Sequence, residues 1–396
     1  MIRTTTEWIP RNAEHWLGQV ARQRPVLVLT GARQTGKTSL LRRVFPDHRY
    51  VTLDIPSEAA EAEHEPASFL ARHPGPLVID EVQYAPGLFR HLKVAVDERR
   101  HESGRFILTG SQKFTLMRDV SDSLAGRAAI VGLEGLSLGE LRRAGRPVDP
   151  VALMCRGTLP ELWEKPDLDA SLFWSSYVAT YLERDLRDLL AVGNLRDFDR
   201  FLRAVALRSG NLLNKAELAR DVGVAPSTAA AWLSVLEASN QVALLEPWFS
   251  NRTSTLVKSP KLYLSDPGLQ AWLVGVRDGV DVFTTPFVGA LFESLVASEL
   301  RKSLMDRRRV GDLYFWRDRT REVDFVLHRA GRFELFEAKA TESPGARDAA
   351  GIVHARGHLG ADAVERAAVV CRAPAPHPLA SGVTAIPLDT LSDEGG

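Results

Sequence analysis

The sequence predicts an α/β protein of 396 residues: a parallel sheet covered on both faces, then a small helical module, then a second α/β domain. Three observations carry that expectation. An apolar run at 25–29 leads into Gly31-x-x-x-x-Gly36-Lys37-Thr38. Short strand-like runs then alternate with helix-period stretches as far as Ser111, the pattern of parallel βαβ units. Near the other end, 322–327 and 333–339 read as two strands joined by a tight turn at Ala330-Gly331-Arg332.

Composition bounds the rest. With 45% hydrophobic and 25% charged residues, the chain has the make-up of an ordinary globular protein of two to four domains. Lys+Arg and Asp+Glu are 50 each, so no global pull toward nucleic acid or membrane follows, and any basic surface must be local. Two distant cysteines, Cys155 and Cys371, exclude a cysteine-built zinc site within one chain and argue against a disulfide framework. That usage fits a reducing cytosol. The first ten residues lack the apolar core of a leader peptide, and no apolar run reaches membrane-span length. A cytoplasmic protein with no membrane partner is expected.

The stretch Gly31, Ala32, Arg33, Gln34, Thr35, Gly36, Lys37, Thr38 and Ser39 is the expected nucleotide-binding loop. Its glycines let the backbone curl so that several N–H groups face one anion, and the helix N-terminus adds partial positive charge. Lys37 can reach the β- and γ-phosphates of ATP, and Thr38 can place its hydroxyl on Mg²⁺. Candidate strands follow at 50–54, 76–81 and 105–111. Asp80, after three apolar residues, suits a carboxylate that holds Mg²⁺ through water. Glu81 is positioned to orient the attacking water. Ser111 ends the third strand, as a contact to phosphate or water or as a simple turn residue.

The loop, the segment Leu77-Val-Ile-Asp-Glu-Val-Gln83, Leu108-Thr-Gly-Ser111 and Leu124-Ala-Gly-Arg127 form an ordered set. Together they resemble the AAA+ ATPases of prokaryotes that carry a C-terminal DUF4143 region, and the similarity covers nearly the whole chain. The resemblance implies an AAA+ P-loop ATPase domain over 1–145, with Asp80 and Glu81 as the Walker B pair. It also implies that Arg127 stabilises transition-state charge, in cis or as a finger onto a neighbour in a homo-oligomer. A guanidinium suits that task because its fork spans two phosphate oxygens and stays charged.

Residues 146–198 read as a helical connector, with Tyr177, Tyr181, Leu182, Leu186 and Leu189 along one stripe. Residues 199–275 read as a winged helix-turn-helix: a helix at 215–222, a turn at 223–226, a helix from Ser227, and wing strands at 242–248 and 261–265. From 221 to 251 there is no Lys or Arg, and the second helix offers only Ser, Thr, Ala and Trp on its outer faces. Base readout and phosphate neutralisation need more than that. A protein contact is favoured over sequence-specific DNA reading, with Arg252, Lys258 and Lys261 left to supply charge from the wing.

Residues 284–391 carry a second constellation. Glu293 lies on an amphipathic helix, Asp324 on one strand of the hairpin, and Glu337 and Lys339 on the same side of the other. Paired carboxylates hold Mg²⁺ or Mn²⁺, and a lysine can orient water or stabilise a pentavalent phosphate. The order Glu293, Asp324, Glu337-Ala338-Lys339 is similar to the PD-(D/E)xK nuclease superfamily. That likeness implies a nuclease-like fold, with Glu293, Asp324 and Glu337 as metal ligands and Asp324, Glu337 and Lys339 as the catalytic set. Arg307, Arg308, Arg309, Arg317, Arg319 and Arg321 lie near enough to contact phosphates. His328 shares the parity of Asp324, and packing competes with metal contact as its role. The expected function is an ATPase that couples nucleotide state to a nuclease-like domain acting on DNA. The alternative is an ATP-gated switch or scaffold whose C-terminal domain only binds a partner.

Overall fold

The computed structural model describes residues 8–111, 120, 122–182, 195–249, 259–308 and 312–391. Leu186, Leu189, Arg252, Lys258, Arg309 and the side chains of Tyr181 and Leu182 lie outside the described residues. The chain forms two compact units. Trp8–Leu136 with Ala238–Asn240 makes the first; Ser137–Glu237 and the segment from Gln241 onward make the second. The stretches expected as connector, winged module and C-terminal domain thus share one unit.

In the first unit, β1 (Val26–Thr30), β2 (Arg49–Thr52), β3 (Leu77–Asp80), β4 (Phe106–Gly110) and β5 (Ala128–Gly132) form one sheet in the order β2-β3-β4-β1-β5. Every pairing is parallel. All residues of β1, β3 and β4 are buried, as strands covered on both faces must be. Strand alternation sorts them. Val26, Val28, Ile79 and Leu108 pack with Leu88, Phe89, Leu92 and Val96 of the helix Leu88–Glu98. Leu27, Leu29, Val78 and Ile107 face the other way, against Leu17 of Ala13–Ala21 and Leu40 and Leu41 of Lys37–Val44. Each such aliphatic side chain contributes about 1.5–3 kcal/mol by leaving water. Because β3, β4 and β1 are neighbours, their C-terminal ends deliver the glycine-rich loop, Glu81 and Ser111 to one edge of the sheet.

Among the described residues, the second unit holds two sheets. The smaller, in the order β6-β8-β7, joins β6 (Asn211–Leu212), β7 (Val242–Leu245) and β8 (Lys261–Leu264), all antiparallel. The helices Lys215–Val222 and Pro226–Ala238 stand between β6 and β7 in the chain, and Gly223, at φ 79°, ends the first of them. Trp232 does not face outward as the sequence suggested. It is buried, with ring centroids 5.6 and 5.4 Å from Phe198 and Phe201, because the aromatic stripe of Leu195–Leu207 needs cover.

The larger sheet runs β13-β14-β12-β11-β10-β9. Here β9 (Leu313–Arg317), β10 (Glu322–Arg329) and β11 (Arg332–Ala338) are antiparallel neighbours. β12 (Val364–Cys371) and β14 (Val383–Pro387) continue in parallel with β11, and β13 (His377–Ala380) closes the edge antiparallel. The helix Ala350–Leu359 packs Ile352 and Ala355 onto Val323, Val326, Leu335 and Val369. Gly351 permits that approach: a Cβ there would stand 2.2 Å from the Glu322 carbonyl oxygen. Among the described residues, no helix is long and apolar enough to cross a membrane.

Candidate functional site

The glycine-rich loop follows β1. Gly31 passes under Leu133, whose carbonyl oxygen would lie 2.2 Å from any Cβ at that position, so only glycine fits. Gly36 adopts φ 87° and opens the helix Lys37–Val44, with Ser39 exposed in its first turn. Ala32, Arg33 and Gln34 form the partly exposed crest of the loop, and Thr35 Oγ1 donates to the Ala32 carbonyl at 2.9 Å. Lys37 is buried, and its Nζ donates to the carbonyl oxygens of Gly31 (2.9 Å) and Ala32 (2.8 Å). Arg11, also buried, donates to the carbonyls of Thr35 (2.8 Å), Glu134 (2.7 Å) and Gly135 (3.2 Å). Sequence reading missed Arg11, which lies outside any motif.

Asp80 ends β3 as a fully supported carboxylate. Its Oδ2 accepts from Thr38 Oγ1 at 2.7 Å and from the Tyr50 hydroxyl at 2.5 Å. Its Oδ1 accepts from Thr109 Oγ1. Tyr50 and Thr109 also escaped the sequence, since each is an ordinary strand residue until the parallel register brings it beside β3. Burial, reinforced by the hydrogen bond to Asp80, pushes the Tyr50 hydroxyl up to about 12, so it stays a donor. Glu81 sits at φ 56°, and its carboxylate accepts from Gln83 Nε2 and from Ser111 Oγ (3.2 Å). The loop, Asp80, Glu81 and Ser111 therefore meet at one end of the sheet.

Arg127 does not join them. It precedes β5 and its carbonyl accepts from the Val26 N–H at 3.2 Å, at the start of β1. The loop leaves the other end of β1, roughly 16 Å away at about 3.3 Å per residue. The guanidinium pairs bidentately with Asp97, at 2.7 and 2.8 Å. Of the two roles the sequence left open for Arg127, in cis or on a neighbour, this placement argues against the first.

In the second unit, β10 and β11 pair with Phe325 opposite Phe336, so Asp324 and Glu337 come side by side. Asp324 Oδ2 accepts from the Ala338 N–H at 3.1 Å. Lys339 Nζ donates to Glu337 Oε1 at 2.8 Å. Glu293, on the helix Val288–Asp306, accepts from the Tyr263 hydroxyl at 2.7 Å. The centre of this cluster is Lys261, which the sequence reading had left to supply charge from the wing. Its side chain is 3% exposed, and Nζ lies 3.1 Å from Glu293, 3.1 Å from Asp324 and 2.5 Å from Glu322. The strand at 261–264 is present and pairs with β7, but the expectation that Lys261 supplies surface charge is corrected: β8 is the central strand of its sheet, with all four residues buried.

Burial and the neighbouring Asp324 charge raise Glu293 to about 7 and Glu337 to about 8. Burial opposes the charge on Lys261, but Asp324, Glu293 and Glu322 outweigh it and push the lysine above its usual range. Glu337 Oε2 is buried and has no hydrogen-bond partner among the described residues. His328 does not approach the cluster; its ring stacks on Phe333 at 4.6 Å and meets Trp248 at 5.5 Å. The donor types suit a divalent ion, but the resident ammonium already stands among the carboxylate oxygens. In this arrangement the cluster does not fit a metal.

Comparison with known proteins gives three family matches. Residues 23–142 match an AAA domain, residues 149–279 a domain of unknown function (DUF8612), and residues 288–391 a domain of unknown function (DUF4143). Uncharacterized proteins of Mycobacterium tuberculosis and Mycobacterium bovis are each 33% identical over 389 residues, covering 97% of this chain and 85% of theirs. Among solved structures, a Walker-type ATPase of Pyrococcus abyssi aligns at 18% identity with a TM-score of 0.44, covering 69% of this chain and 99% of that one.

Proposed function

This chain belongs to the prokaryotic family that joins an AAA domain to a C-terminal DUF4143 domain, and from that premise we propose that it binds and hydrolyses ATP as the driver of a switch. The observation that carries the reading is the 2.7 Å contact between Thr38 Oγ1 and Asp80 Oδ2 at the mouth of the glycine-rich loop. A carboxylate that accepts from the Thr38 hydroxyl stands one hydrogen bond away from any ion that the hydroxyl ligates, which is where a group acting on Mg²⁺ through water belongs. Thr38 and Asp80, the latter through water, would hold Mg²⁺, which neutralises phosphate charge when bound. The N–H groups of residues 31–38 cradle the phosphates. Lys37 exchanges its two carbonyl partners for β- and γ-phosphate oxygens. Glu81, steadied by Gln83 and Ser111, orients the attacking water. Arg127, paired with Asp97, has no part in this scheme; only a neighbouring copy in a homo-oligomer could use it as a finger.

For the C-terminal domain, Lys261 favours the partner-binding reading over the nuclease reading. An ammonium held by three carboxylates supplies the positive charge that a catalytic metal would otherwise supply. The helix-turn-helix segment would contribute a protein-contacting surface. The nuclease reading rests on Asp324, Glu337 and Lys339 converging in the expected geometry, and it requires Lys261 to withdraw. Purified protein, assayed for phosphate release from Mg²⁺-ATP and for cutting of plasmid and linear DNA with Mg²⁺ or Mn²⁺, tests both. ATP turnover without DNA cleavage is expected. Cleavage that ATP elicits and Asp324→Asn abolishes would restore the nuclease. No ATP turnover and no ATP binding would overturn the first claim.

A further inference from the structure

The helix Ala350–Leu359 carries His354 and His358, four residues apart and so on one face. Their ring centroids are 4.5 Å apart. Asp318, in the turn between β9 and β10, brings Oδ2 to 2.6 Å from His354 Nε2. The other oxygen of that carboxylate is fully used. Oδ1 accepts from Thr320 N (2.7 Å), Thr320 Oγ1 (3.0 Å) and Arg321 N (2.8 Å). The turn therefore aims Oδ2 at the histidines. His358 Nδ1 lies 3.1 Å from the His354 carbonyl oxygen, a contact that suits an Nδ1–H donor and leaves the Nε2 lone pair for a ligand. Trp316 flanks both rings, with centroids 5.8 and 5.7 Å away.

An Asp–His ion pair would need only one of these imidazoles. The second, turned to the same point and open to solvent, makes the set a donor triad. One ligand atom from each of Asp318, His354 and His358 lies within 4.8 Å of the others. A tetrahedral ion with bonds of about 2.0–2.1 Å keeps its ligand atoms roughly 3.4 Å apart, so the Asp318–His354 pair opens from 2.6 Å while His358 swings in, a small adjustment of rotamers that completes the site. Two imidazoles and one carboxylate suit Zn²⁺, Ni²⁺, Co²⁺ or Cu²⁺ rather than Mg²⁺ or Ca²⁺. We propose that Asp318, His354 and His358 bind a divalent first-row transition-metal ion, which clips the β9–β10 turn to the helix Ala350–Leu359 and leaves a position for water. The site shares no ligand with the Lys261 cluster, and it does not depend on the ATPase reading.

The test is calorimetric titration of the chelator-treated full chain with Zn²⁺, and separately Ni²⁺, in excess Mg²⁺. One ion per chain at micromolar affinity is expected, insensitive to Mg²⁺. His354→Ala and His358→Ala should each weaken it by at least about tenfold. Asp318→Asn, which keeps the Oδ1 acceptor of the turn, should do the same. If His354→Ala fails to fold, the exposed His358→Asn carries the test alone. Ni²⁺ should also quench tryptophan fluorescence, and Trp316→Phe should remove most of that quenching while binding persists. Absence of Zn²⁺ and Ni²⁺ binding, or binding that all three ligand variants retain at wild-type strength, overturns the site.

Discussion

Two of the three lysines buried among the described residues, one in each unit, differ in what holds them. Lys37 donates to two neutral backbone carbonyls, while Lys261 lies against three carboxylates. A hydrogen bond from an ammonium to a neutral acceptor contributes about 1.5–3 kcal/mol, so a polyphosphate carrying several charges can displace the partners of Lys37. Lys261 has no comparable reason to leave. Its departure would strand several carboxylates around a low-dielectric centre. The same side chain is thus an exchangeable hand in one unit and a fixed counter-ion in the other.

The sharpest way to break that contrast is to remove each ammonium. Lys37→Ala should lower ATP affinity by two orders of magnitude or more, at about 1.4 kcal/mol per tenfold, with the fold intact. Unchanged affinity by calorimetry would sink the cradle. Glu81→Gln should keep that affinity and slow turnover on the order of a hundredfold, since only the water-orienting charge is lost.

Lys261→Ala should act on stability instead. Breaking a buried ion pair from one side costs about 3–5 kcal/mol. Denaturant melts should show a loss of that size, partly relieved by adding Glu293→Gln. The variant should also gain affinity for Mn²⁺. A variant as stable as wild type, with no new metal binding, would mean that Lys261 is not the resident cation.

A pH series sharpens the same point more gently. Unfolded, Glu293 and Glu337 ionise near the ordinary 4.5; folded, they keep protons to about 7 and about 8. Between those limits the folded chain binds more protons, so stability should fall as pH rises from about 4.5 to about 8, and be fully retained below. Urea melts at pH 5.5 and pH 8 should differ in that direction, and Glu337→Gln should flatten the slope. A flat wild-type profile would contradict the burial of these carboxyls as acids.

The smallest effect belongs to Arg127. Paired with Asp97 at the exposed start of β5, it should tolerate Arg127→Ala with turnover within about twofold of wild type, as surface pairs generally do. A large loss, reversed by mixing with Glu81→Gln protein, would assign the guanidinium to a neighbour's phosphates.

The first unit was the more legible in sequence because its chemistry is local. Gly31 to Thr38 and Asp80-Glu81 sit at strand ends, and βαβ alternation fixes where strand ends go. Tyr50, Thr109 and Arg11 were invisible because they reach the site only through strand order or a distant loop. In the second unit, period two put Asp324 beside Glu337 once the hairpin was read correctly. Lys261 was misread because a strand of four residues says nothing about which face another sheet will cover. The apolar residues around it, Leu262 to Leu264, were the available hint of an interior strand.

Arg11 has a mechanical consequence. Its guanidinium ties Thr35, on the loop, to Glu134 and Gly135, two residues before the chain leaves the first unit. A planar fork with three carbonyl partners behaves as a rigid strut. Any shift of the loop on filling must either drag the exit segment along or snap one of those bonds. Were the loop to shift on filling, the segment leading out of the unit would feel it through this side chain.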